Sequence, residues 1–564
     1  MIMLCPAAVQ GRSTNPRKMQ RSHTSSFRRF LPLLLGGAAA VGPLAAPAFS
    51  QGAPADLRLE ATAGSDVEGY LRTLQVAGIA PLYPWAVRAF SPAEVDRLVP
   101  AHRAHPWAAR LAAPGDSAAT PALRLIRPRA RAIYNTSFAH DVPNDGAIWA
   151  GRGVTGALSA GATLRAGPLS LRVEPLVFWS QNASFDLAPN GETGDMRFAD
   201  PLRPRHIDLP QRFGDEAYMR VDPGQSTLRL DLLGVAAGVS TANQVWGPAA
   251  DMPLILGANA GGFPHAFIGS SAPVQVGIGR LHGRVVWGDL AQSDYTHVTG
   301  KGSRRFMAGW VASFTPAGLP GLEVGASRFF HNHWPAGGLE LDDFIRPLQP
   351  FLKENLDPTG EGEDGVSDTA NQIASVQARW VLPKSGFELF GEYAREDHNW
   401  DVRDFVLEPD HASAYMVGGR KVWVRDGSLL SLRAELVESQ VSHLREVRPE
   451  GPFYVHTRTT QGHTLRGQVL GSPAVYGGGG SVLALESHSR AGRWQVDWTR
   501  TRVAGGLTAE APQVDVIHSL GGEAVLFRGG LDATMGVRGS WNLNRHFGGN
   551  AFNLTTELGL RARL

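Results

Sequence analysis

The chain has 564 residues, with 54 Lys and Arg against 52 Asp and Glu, and its mean hydropathy is −0.14. This near-balance of charge gives no reason to expect a nucleic-acid partner. The only cysteine is Cys5, so the rest of the chain cannot form a disulfide, a thiolate metal site or a cysteine nucleophile.

The N-terminus is predicted to be an export signal, spanning residues 1–50. Arg28 and Arg29 precede the apolar run 30–41, and a small-residue stretch ends at Ser50 in a form that suits cleavage. Residues 1–50 hold six Lys or Arg and no acid, so the exported chain carries 48 basic against 52 acidic residues. No other stretch approaches the roughly 18 consecutive apolar residues of a membrane helix. A membrane location would therefore require a barrel.

Residues 51–121 are predicted to form a small periplasmic helical unit with a linker after 111. Two S-x-x-E patterns, Ser65 with Glu68 and Ser91 with Glu94, have the spacing of a capping box. Apolar residues follow at helical spacing: Val67, Tyr70, Leu71 and Leu74 after the first, Val95 and Leu98 after the second. A unit of about 50 residues is too small to be stable alone. We expect it to dock on the periplasmic end of a barrel and to restrict the lumen.

From about Leu123 the period of the apolar pattern changes to two. In the last stretch, 552–564, Leu558 and Leu560 fall on one face, while Glu557 and Arg561 fall on the other. The same alternation recurs in residues 169–179, 228–232, 322–327, 376–382, 430–436 and 494–499. Behind an export signal, this pattern favours an all-β fold over residues 122–564, a transmembrane antiparallel β-barrel of about 16–18 strands. A soluble sandwich is the alternative.

Long polar or glycine-rich stretches separate these strands and are predicted outer loops: 186–212, 334–368, 395–411 and 443–480. Residues 357–368 carry five acids and predict a solvated loop, or else a calcium bridge to lipopolysaccharide or an acidic glycan. Charged residues on the polar strand faces predict a cross-strand ion-pair network in the lumen, comprising Arg172, Glu174, Arg229, Asp231, Arg379, Arg433 and Glu435. Guidance of an anionic polymer through a pore is the alternative for these charges.

Three segments carry a resemblance to a known family. They are NQVWGP at 243–248, LILGANAGGFPH at 254–265 and GHTLRGQVLGS at 462–472. Together they resemble the capsule assembly Wzi family of outer-membrane proteins. The resemblance implies an eighteen-stranded barrel with a small periplasmic helical bundle, which holds capsular polysaccharide as a lectin rather than as an enzyme. The leucine at the C-terminus and the long loops depart from the best-known member, so the alternatives are a different glycan, another exopolysaccharide or none.

The candidate polysaccharide-binding residues lie in or near these segments: Asn243, Trp246, Asn259, Phe263, His265, Trp334 and Arg466. Aromatic faces can stack on sugar rings, and Asn and His side chains can hydrogen-bond to hydroxyls. The alternative is structural, because turn-rich sequences such as Trp-Gly-Pro can simply fix a loop folded into the barrel mouth. His331 and His333 suit a sugar or weak metal site beside Trp334, or else an exposed strand end.

We therefore expect a non-catalytic, lectin-like protein of the outer membrane of a Gram-negative-type bacterium, which binds capsular or other exopolysaccharide at the cell surface and aids capsule assembly. No Gly-x-Ser-x-Gly, His-Glu-x-x-His or P-loop pattern occurs, and no catalytic residue, metal or cofactor is predicted. The alternative is a porin or a polysaccharide export channel, since a barrel of this size can leave an aqueous channel. The expected partners are polysaccharide, outer-membrane lipids and lipopolysaccharide, with no nucleic acid, and the chain is expected to be a monomer.

Overall fold

A computed structural model gives the fold of the chain. It describes residues 56–100, 104–112, 122–139, 144–335, 337–349, 371–396, 406–407, 409–439, 451–476, 478–504 and 514–562. The predicted export signal, most of the predicted linker and the acidic stretch 357–368 lie outside these described residues.

Eighteen antiparallel strands of the described ranges close into one barrel, which confirms the predicted fold class. Each strand pairs with its neighbours in the chain, and residues 129–135 of the first strand pair with residues 555–561 of the last. The strands are β1 (Ala122–Asn135), β2 (Gly153–Ala166), β3 (Leu169–Val173 and Leu176–Ser180), β4 (Tyr218–Asp222 and Thr227–Leu232), β5 (Val235–Ser240), β6 (His265–Ser270, continued by Val274–Gln275), β7 (Gly279–Ala291), β8 (Arg304–Pro316), β9 (Leu322–His333), β10 (Asn371–Leu382), β11 (Phe387–Glu396), β12 (Ser413–Arg425), β13 (Ser428–Glu438), β14 (Gly478–Ser489), β15 (Gly492–Ala504), β16 (Val514–Arg528), β17 (Leu531–Leu543) and β18 (Ala551–Ala562).

The period-two pattern of the sequence corresponds to an outer and an inner barrel face. In β18, Leu558 and Leu560 point outward and are 62% and 52% exposed, while the Glu557 carboxylate pairs inside with Arg131 at 2.7 Å. Leu432 and Trp494 on other predicted strands likewise face outward. The facing assigned from the sequence is therefore confirmed for these strands.

The two ends of the barrel differ. At one end, strands are joined by short turns such as 426–427 between β12 and β13, where Gly427 takes a φ of 72° that glycine adopts without steric cost. At the other end, the connections are long, for example 181–217, 241–264 and 439–477. We refer to them as the short-turn end and the long-loop end.

The N-terminal unit contains three helices, α1 (Asp66–Val76), α2 (Pro92–Leu98) and α3 (Ala108–Leu111). Both halves of the predicted capping box form at α2. At α1 the Ser65 hydroxyl accepts from Glu68 N as predicted, but the Glu68 carboxylate accepts from Gly64 N instead of closing the box. None of the helices in the described part of the chain has the length and apolar content needed to cross a membrane.

The N-terminal unit docks inside the barrel at the short-turn end. Arg72 of α1 contacts Glu388 of β11, and the backbone N–H groups of Trp85 and Ala86 donate to the Glu323 carboxylate of β9. The predicted apolar stripes are buried in one cluster with Trp85 and Trp107, and this cluster is closed by Leu429 of the barrel wall. Leu429 thus joins the apolar core of the N-terminal unit to the barrel wall, and the two pack against each other.

The lumen is not simply polar, which corrects the sequence-based expectation. Two of the long connections, residues 241–264 and 451–476, fold back inside the barrel and build its largest apolar cluster. We call these two segments the plug. Residues 443–480 were predicted as an outer loop, but the described part of this stretch carries buried Tyr454, Leu465 and Val469. A barrel interior can be filled by apolar side chains wherever an inserted segment supplies a matching surface.

The charged lumen residues do face inward, but their partners are mostly not cross-strand neighbours. Arg229 pairs with Asp231 of the same strand at 2.9 Å, and Arg172 pairs with Glu174 at 2.5 Å. Others bind the inserted segments, as where Arg433 of β13 contacts Asp251 of the plug at 2.8 Å. The predicted network is thus present on the inner face, and part of it fixes the plug and the helices to the wall.

Candidate functional site

The two plug segments are held together by backbone and side-chain hydrogen bonds. The Tyr454 hydroxyl donates to Leu254 O at 2.5 Å, and His463 Nε2 lies 2.6 Å from Ile255 O. Gly257 N donates to Leu470 O at 2.8 Å. Burial lowers the pKa of the His463 imidazole to about 4, so this ring is neutral at neutral pH and donates to the carbonyl. The segments therefore behave as one folded insert, although about 200 residues separate them in the chain.

The barrel wall fixes this insert through charged groups. The Glu435 carboxylate of β13 accepts from three successive plug amides, those of residues 250, 251 and 252, at 2.7–3.0 Å. The Arg305 guanidinium of β8 donates to the carbonyls of Gly462 and Thr464 at 2.5 and 2.6 Å. Charge-assisted hydrogen bonds of this kind are roughly twice as strong as neutral ones. The plug is thus anchored to two separate strands of the wall, β8 and β13.

The structure places the aromatic candidates Trp246 and Phe263 in the apolar core of the plug. They are 0% and 2% exposed, so neither ring offers a face to a sugar in this conformation. Gly309 of β8 makes room for Trp246, because a Cβ there would lie 2.9 Å from the indole Cη2 atom. Both rings pack in the interior, as expected from the structural alternative, in which these turn-rich segments fix a loop folded into the barrel.

Asn243 and His265 are also buried and act within the plug. Asn243 Nδ2 donates to Ala260 O at 2.7 Å, and its Oδ1 accepts from Gln225. His265 Nδ1 lies 2.7 Å from Phe263 O. These bonds hold the entry and exit of segment 241–264, which is the role expected of polar residues that stabilise turns.

The remaining candidates lie apart from one another. Arg466 pairs with Asp222 of β4 at 2.7 Å, and Trp334 at the long-loop end packs under the Arg304 guanidinium at 4.9 Å. His331 is fully buried beside His463, so its interpretation as an exposed strand end is wrong. Of the seven candidates, Asn259 alone lines the cavity described next.

A cavity of about 270 Å³ opens at the long-loop end, between the plug and strands β15 to β17. We call it the mouth cavity. Its lining combines aromatic, amide and charged side chains, including Trp149, Asn259, Tyr476, Arg502, Asn542 and Arg545. An apolar or aromatic wall with a few convergent polar groups is the usual composition of a small-molecule or sugar site.

Asn542 is the least satisfied group in this lining. It is 1% exposed, and neither Oδ1 nor Nδ2 has a hydrogen-bond partner among the described residues. A buried amide without partners costs free energy; at 1% exposure Asn542 meets a ligand only after its neighbours move slightly, and then Nδ2 can donate and Oδ1 can accept. Trp149 lines the same cavity and is half-buried, with its ring edge-on to Phe213 at a centroid distance of 4.9 Å.

An ordered acid forms part of the same lining. Asp200 accepts from Leu202 N, Arg203 N and the Tyr476 hydroxyl at 2.6–2.9 Å. Burial raises the pKa of this carboxyl to about 6 against the opposing effect of those donors. Asp200 and Tyr476 therefore form a fixed hydrogen-bonded pair that shapes the cavity wall.

Sequence reasoning missed Trp149 and Asn542. Trp149 lies in a connection without strand periodicity. Asn542 had a usable signal, because it alternates with the outward-facing Trp541 near the end of a strand and so marks a polar group on the inner face. Among the described residues, no group of three His, Cys, Asp or Glu has an arrangement that could hold a metal ion.

The family model described as capsule assembly protein Wzi matches residues 136–489, which is more than half of the chain. The chain belongs to the capsule assembly Wzi family. It is accordingly a β-barrel of the outer membrane of Gram-negative bacteria. No curated protein matches the sequence.

The Wzi fold is also found in a solved structure. The barrel resembles Wzi of Escherichia coli, described as an outer-membrane protein involved in group 1 capsule assembly and as a carbohydrate-binding β-barrel, with a TM-score of 0.56 and 13% identity. That likeness covers 89% of this chain and 99% of the other. The OccAB3 structure of Acinetobacter baumannii covers 78% of this chain and 98% of its own, with a TM-score of 0.38 and 11% identity.

Proposed function

We propose that this Wzi-family protein binds capsular or another surface polysaccharide in the mouth cavity and holds it at the cell surface without modifying it. The observation that carries the proposal is the buried, unpartnered amide of Asn542 in a cavity at the long-loop end. A pyranose presents hydroxyls that can donate to Oδ1 and accept from Nδ2. Trp149 and Asn259 supply an aromatic face and a second amide in the same cavity.

The filled lumen supports a binding role over the rival channel role. The plug occupies the barrel from the long-loop end, and the N-terminal unit occupies it from the short-turn end. The two meet inside, where Val87 and Arg88 pair as a short strand with Val245 and Trp246. A porin or a polysaccharide exporter would need an aqueous path wide enough for its cargo.

The membrane setting of the proposal follows from the facing of the strands. We place the long-loop end outside the cell and the N-terminal unit in the periplasm, behind a cleaved export signal. The exposed apolar side chains of the outer face would contact lipid, and lipopolysaccharide would surround the long loops. A monomer is proposed, since the described strands of the barrel close on themselves without an open edge.

The test compares surface polysaccharide on cells that carry the protein, lack it, or carry Trp149→Ala or Asn542→Ala. The expected result is that both variants release polysaccharide into the medium while still folding, as judged by the gel shift of unheated barrels. Trp423→Ala is the matched control, because this tryptophan lies on the outer face near the short-turn end and is 39% exposed.

Two further measurements distinguish polysaccharide binding from an enzyme and from a channel. Purified protein is mixed with the polysaccharide, and the chain length of the glycan is followed by size-exclusion chromatography; shortening would identify an enzyme. Planar-bilayer recordings of the full chain are expected to show no steady conductance, and an open pore would favour the channel. Normal retention of polysaccharide by both folded cavity variants would refute the proposed site.

A further inference from the structure

A second cavity lies deeper in the barrel, between the plug and strands β1 to β4. Its volume is about 180 Å³, far more than the roughly 10–15 Å³ that one water molecule requires. Five arginines line it, namely Arg127, Arg129, Arg131, Arg172 and Arg561. We call this space the inner chamber, and it is separate from the mouth cavity, with which it shares only Asp145 and Ile148.

A bulge in β1 concentrates these charges on one face. The register against β2 shifts between Ile126 and Arg129, so residues 126 and 127 both turn inward. From Arg127 onward the odd-numbered residues face the lumen, which brings Arg129 and Arg131 to the chamber. Arg129 also lies directly opposite Arg561 of β18 in the strand register. Like charges in directly opposite positions destabilise a sheet.

The carboxylates around the chamber are already engaged. Glu60 contacts Arg127 and Arg561, and Glu174 contacts Arg172. The remaining acids also form ion pairs with arginines: Asp145 with Arg131, Asp222 with Arg466, Asp66 with Arg493 and Glu557 with Arg131.

Arg129 takes part in none of these ion pairs. Among the described residues, no acid lies within ion-pair distance of its guanidinium, and no side chain or carbonyl accepts a hydrogen bond from it. An interior cation without an acid at ion-pair distance is costly, and Arg129 faces a second arginine, Arg561, across the strands. A guanidinium in this state offers up to five donors in a planar fork, which matches two oxygens of a carboxylate or sulfate.

We propose that the inner chamber is a binding site for one small oxyanion, a carboxylate or a sulfate-like group, held by Arg129. The anion neutralises the unpaired charge and separates Arg129 from Arg561. Its source is either a free oxyanion or the carboxylate of an acidic sugar. The second source rests on the proposed function, whereas the site itself would stand even if the mouth cavity bound no glycan.

The experiment uses the full folded chain in a nonionic detergent at constant ionic strength, set with chloride. Sodium sulfate and sodium glucuronate are titrated by calorimetry, with glucose as the neutral match for glucuronate. Arg129→Gln removes the charge, Arg129→Lys keeps it, and Arg304→Gln is the control, since that arginine lies at the long-loop end and is 59% exposed in its pair with Asp289. Melting temperatures are recorded with and without each probe.

The native chain is expected to bind sulfate or glucuronate at one site and to ignore glucose. Arg129→Gln is expected to bind roughly tenfold more weakly or worse, because a charge-assisted bidentate contact is lost. Without any oxyanion, this variant should melt at the same or a higher temperature than the native chain, which a merely structural arginine would not allow. Binding of sulfate alone would identify a free oxyanion, and tighter binding of glucuronate would identify a sugar acid. A native chain that binds neither probe, or an Arg129→Gln chain that binds both unchanged, would overturn the site.

Discussion

Arg72 of helix α1 donates to Glu388 of strand β11 at 3.0 Å, with both side chains almost completely buried. Arg379 approaches the same carboxylate from β10 at 2.5 Å, and the Arg72 guanidinium lies 4.7 Å from the centre of the Phe390 ring. A helix that precedes the barrel in the chain is thus fixed to the inner wall by a charge pair shielded from water.

Replacing Arg72 by methionine is expected to loosen the N-terminal unit. The change keeps the aliphatic volume over Phe390 but leaves the Glu388 carboxylate with fewer donors. Breaking a buried pair by removing one partner costs about 3–5 kcal/mol, and Arg379 should hold the loss to the lower end of that range. Thermal unfolding and limited proteolysis of residues 56–112 would report the change.

Arg205→Met is the matched control for this pair. Arg205 contacts Glu192 on a long connection, and its side chain is 68% exposed. Exposed pairs contribute little to stability, so no measurable shift is expected. Equal melting temperatures for the Arg72 and Arg205 variants would show that the buried pair does not hold the unit.

Leu558→Arg is expected to block or weaken assembly in the membrane. Leu558 lies outward on β18 and is 62% exposed, and an arginine at a lipid-facing position near the bilayer midplane costs about 2–4 kcal/mol. Leu407→Arg is a closely matched control, since Leu407 is 63% exposed but lies on the connection between β11 and β12. Assembly yield and heat-modifiability would be compared. A similar loss in both variants would mean that position 558 does not face lipid.

The plug is expected to weaken as the pH falls. The folded pKa of His463 is about 4, below the ordinary value of 6.5, so the unfolded segment takes up a proton first. The resulting stability is fully present above about pH 6.5 and is lost as the pH falls toward about 4. A difference of this size corresponds to about 3 kcal/mol.

His463→Gln should flatten this pH dependence, because glutamine does not titrate and can still donate to Ile255 O. The measurement is thermal unfolding across that pH range, followed by near-ultraviolet circular dichroism. His456→Gln serves as a control, because this half-buried histidine lies in the same segment and accepts at Nδ1 from the backbone N–H groups of Arg458 and Thr459. An unchanged slope in the His463 variant would assign the acid sensitivity to another group.

Trp246→Ala is expected to act through the plug and not through a sugar contact. The indole is fully buried against Phe329, and removing a buried aromatic side chain costs about 3–5 kcal/mol. Proteolysis of segment 241–264 should accelerate, with any loss of polysaccharide following it. Trp246→Phe should restore most of the resistance. A protease-resistant Trp246→Ala chain that no longer retains polysaccharide would instead indicate direct contact.

The barrel itself could be predicted because adjacent residues of each strand alternate between the outer and the inner face. Leu558 and Glu557 alternate, and the same alternation recurs wherever a strand separates lipid from lumen. The caps of α1 and α2 were predictable for a similar reason, since Ser65 and Ser91 act on residues three positions away.

The plug could not be predicted in this way. Tyr454 and Leu254 share a core although 200 positions separate them, and neither sequence has a strand or helix period. The candidate site could not be predicted for the same reason, because it depends on contacts between distant segments. Trp246 looked suited to stacking on a sugar, and only the packing of 241–264 against 451–476 shows that its ring is covered. Arg129 lies on a strand whose charges are evident from the sequence, yet its lack of an ion-pair partner depends on where the six acids around the chamber point.

The short pairing of Val87 and Arg88 with Val245 and Trp246 joins two pieces that enter the barrel from opposite mouths. Neither piece can therefore swing out like a hinged lid without first breaking its contact with the other. Gating by one moving loop, which suits a pore with a single constriction, is incompatible with this arrangement. The same contact bears on biogenesis: since the two pieces enter by different mouths, the pairing between them can form only after both have entered the lumen.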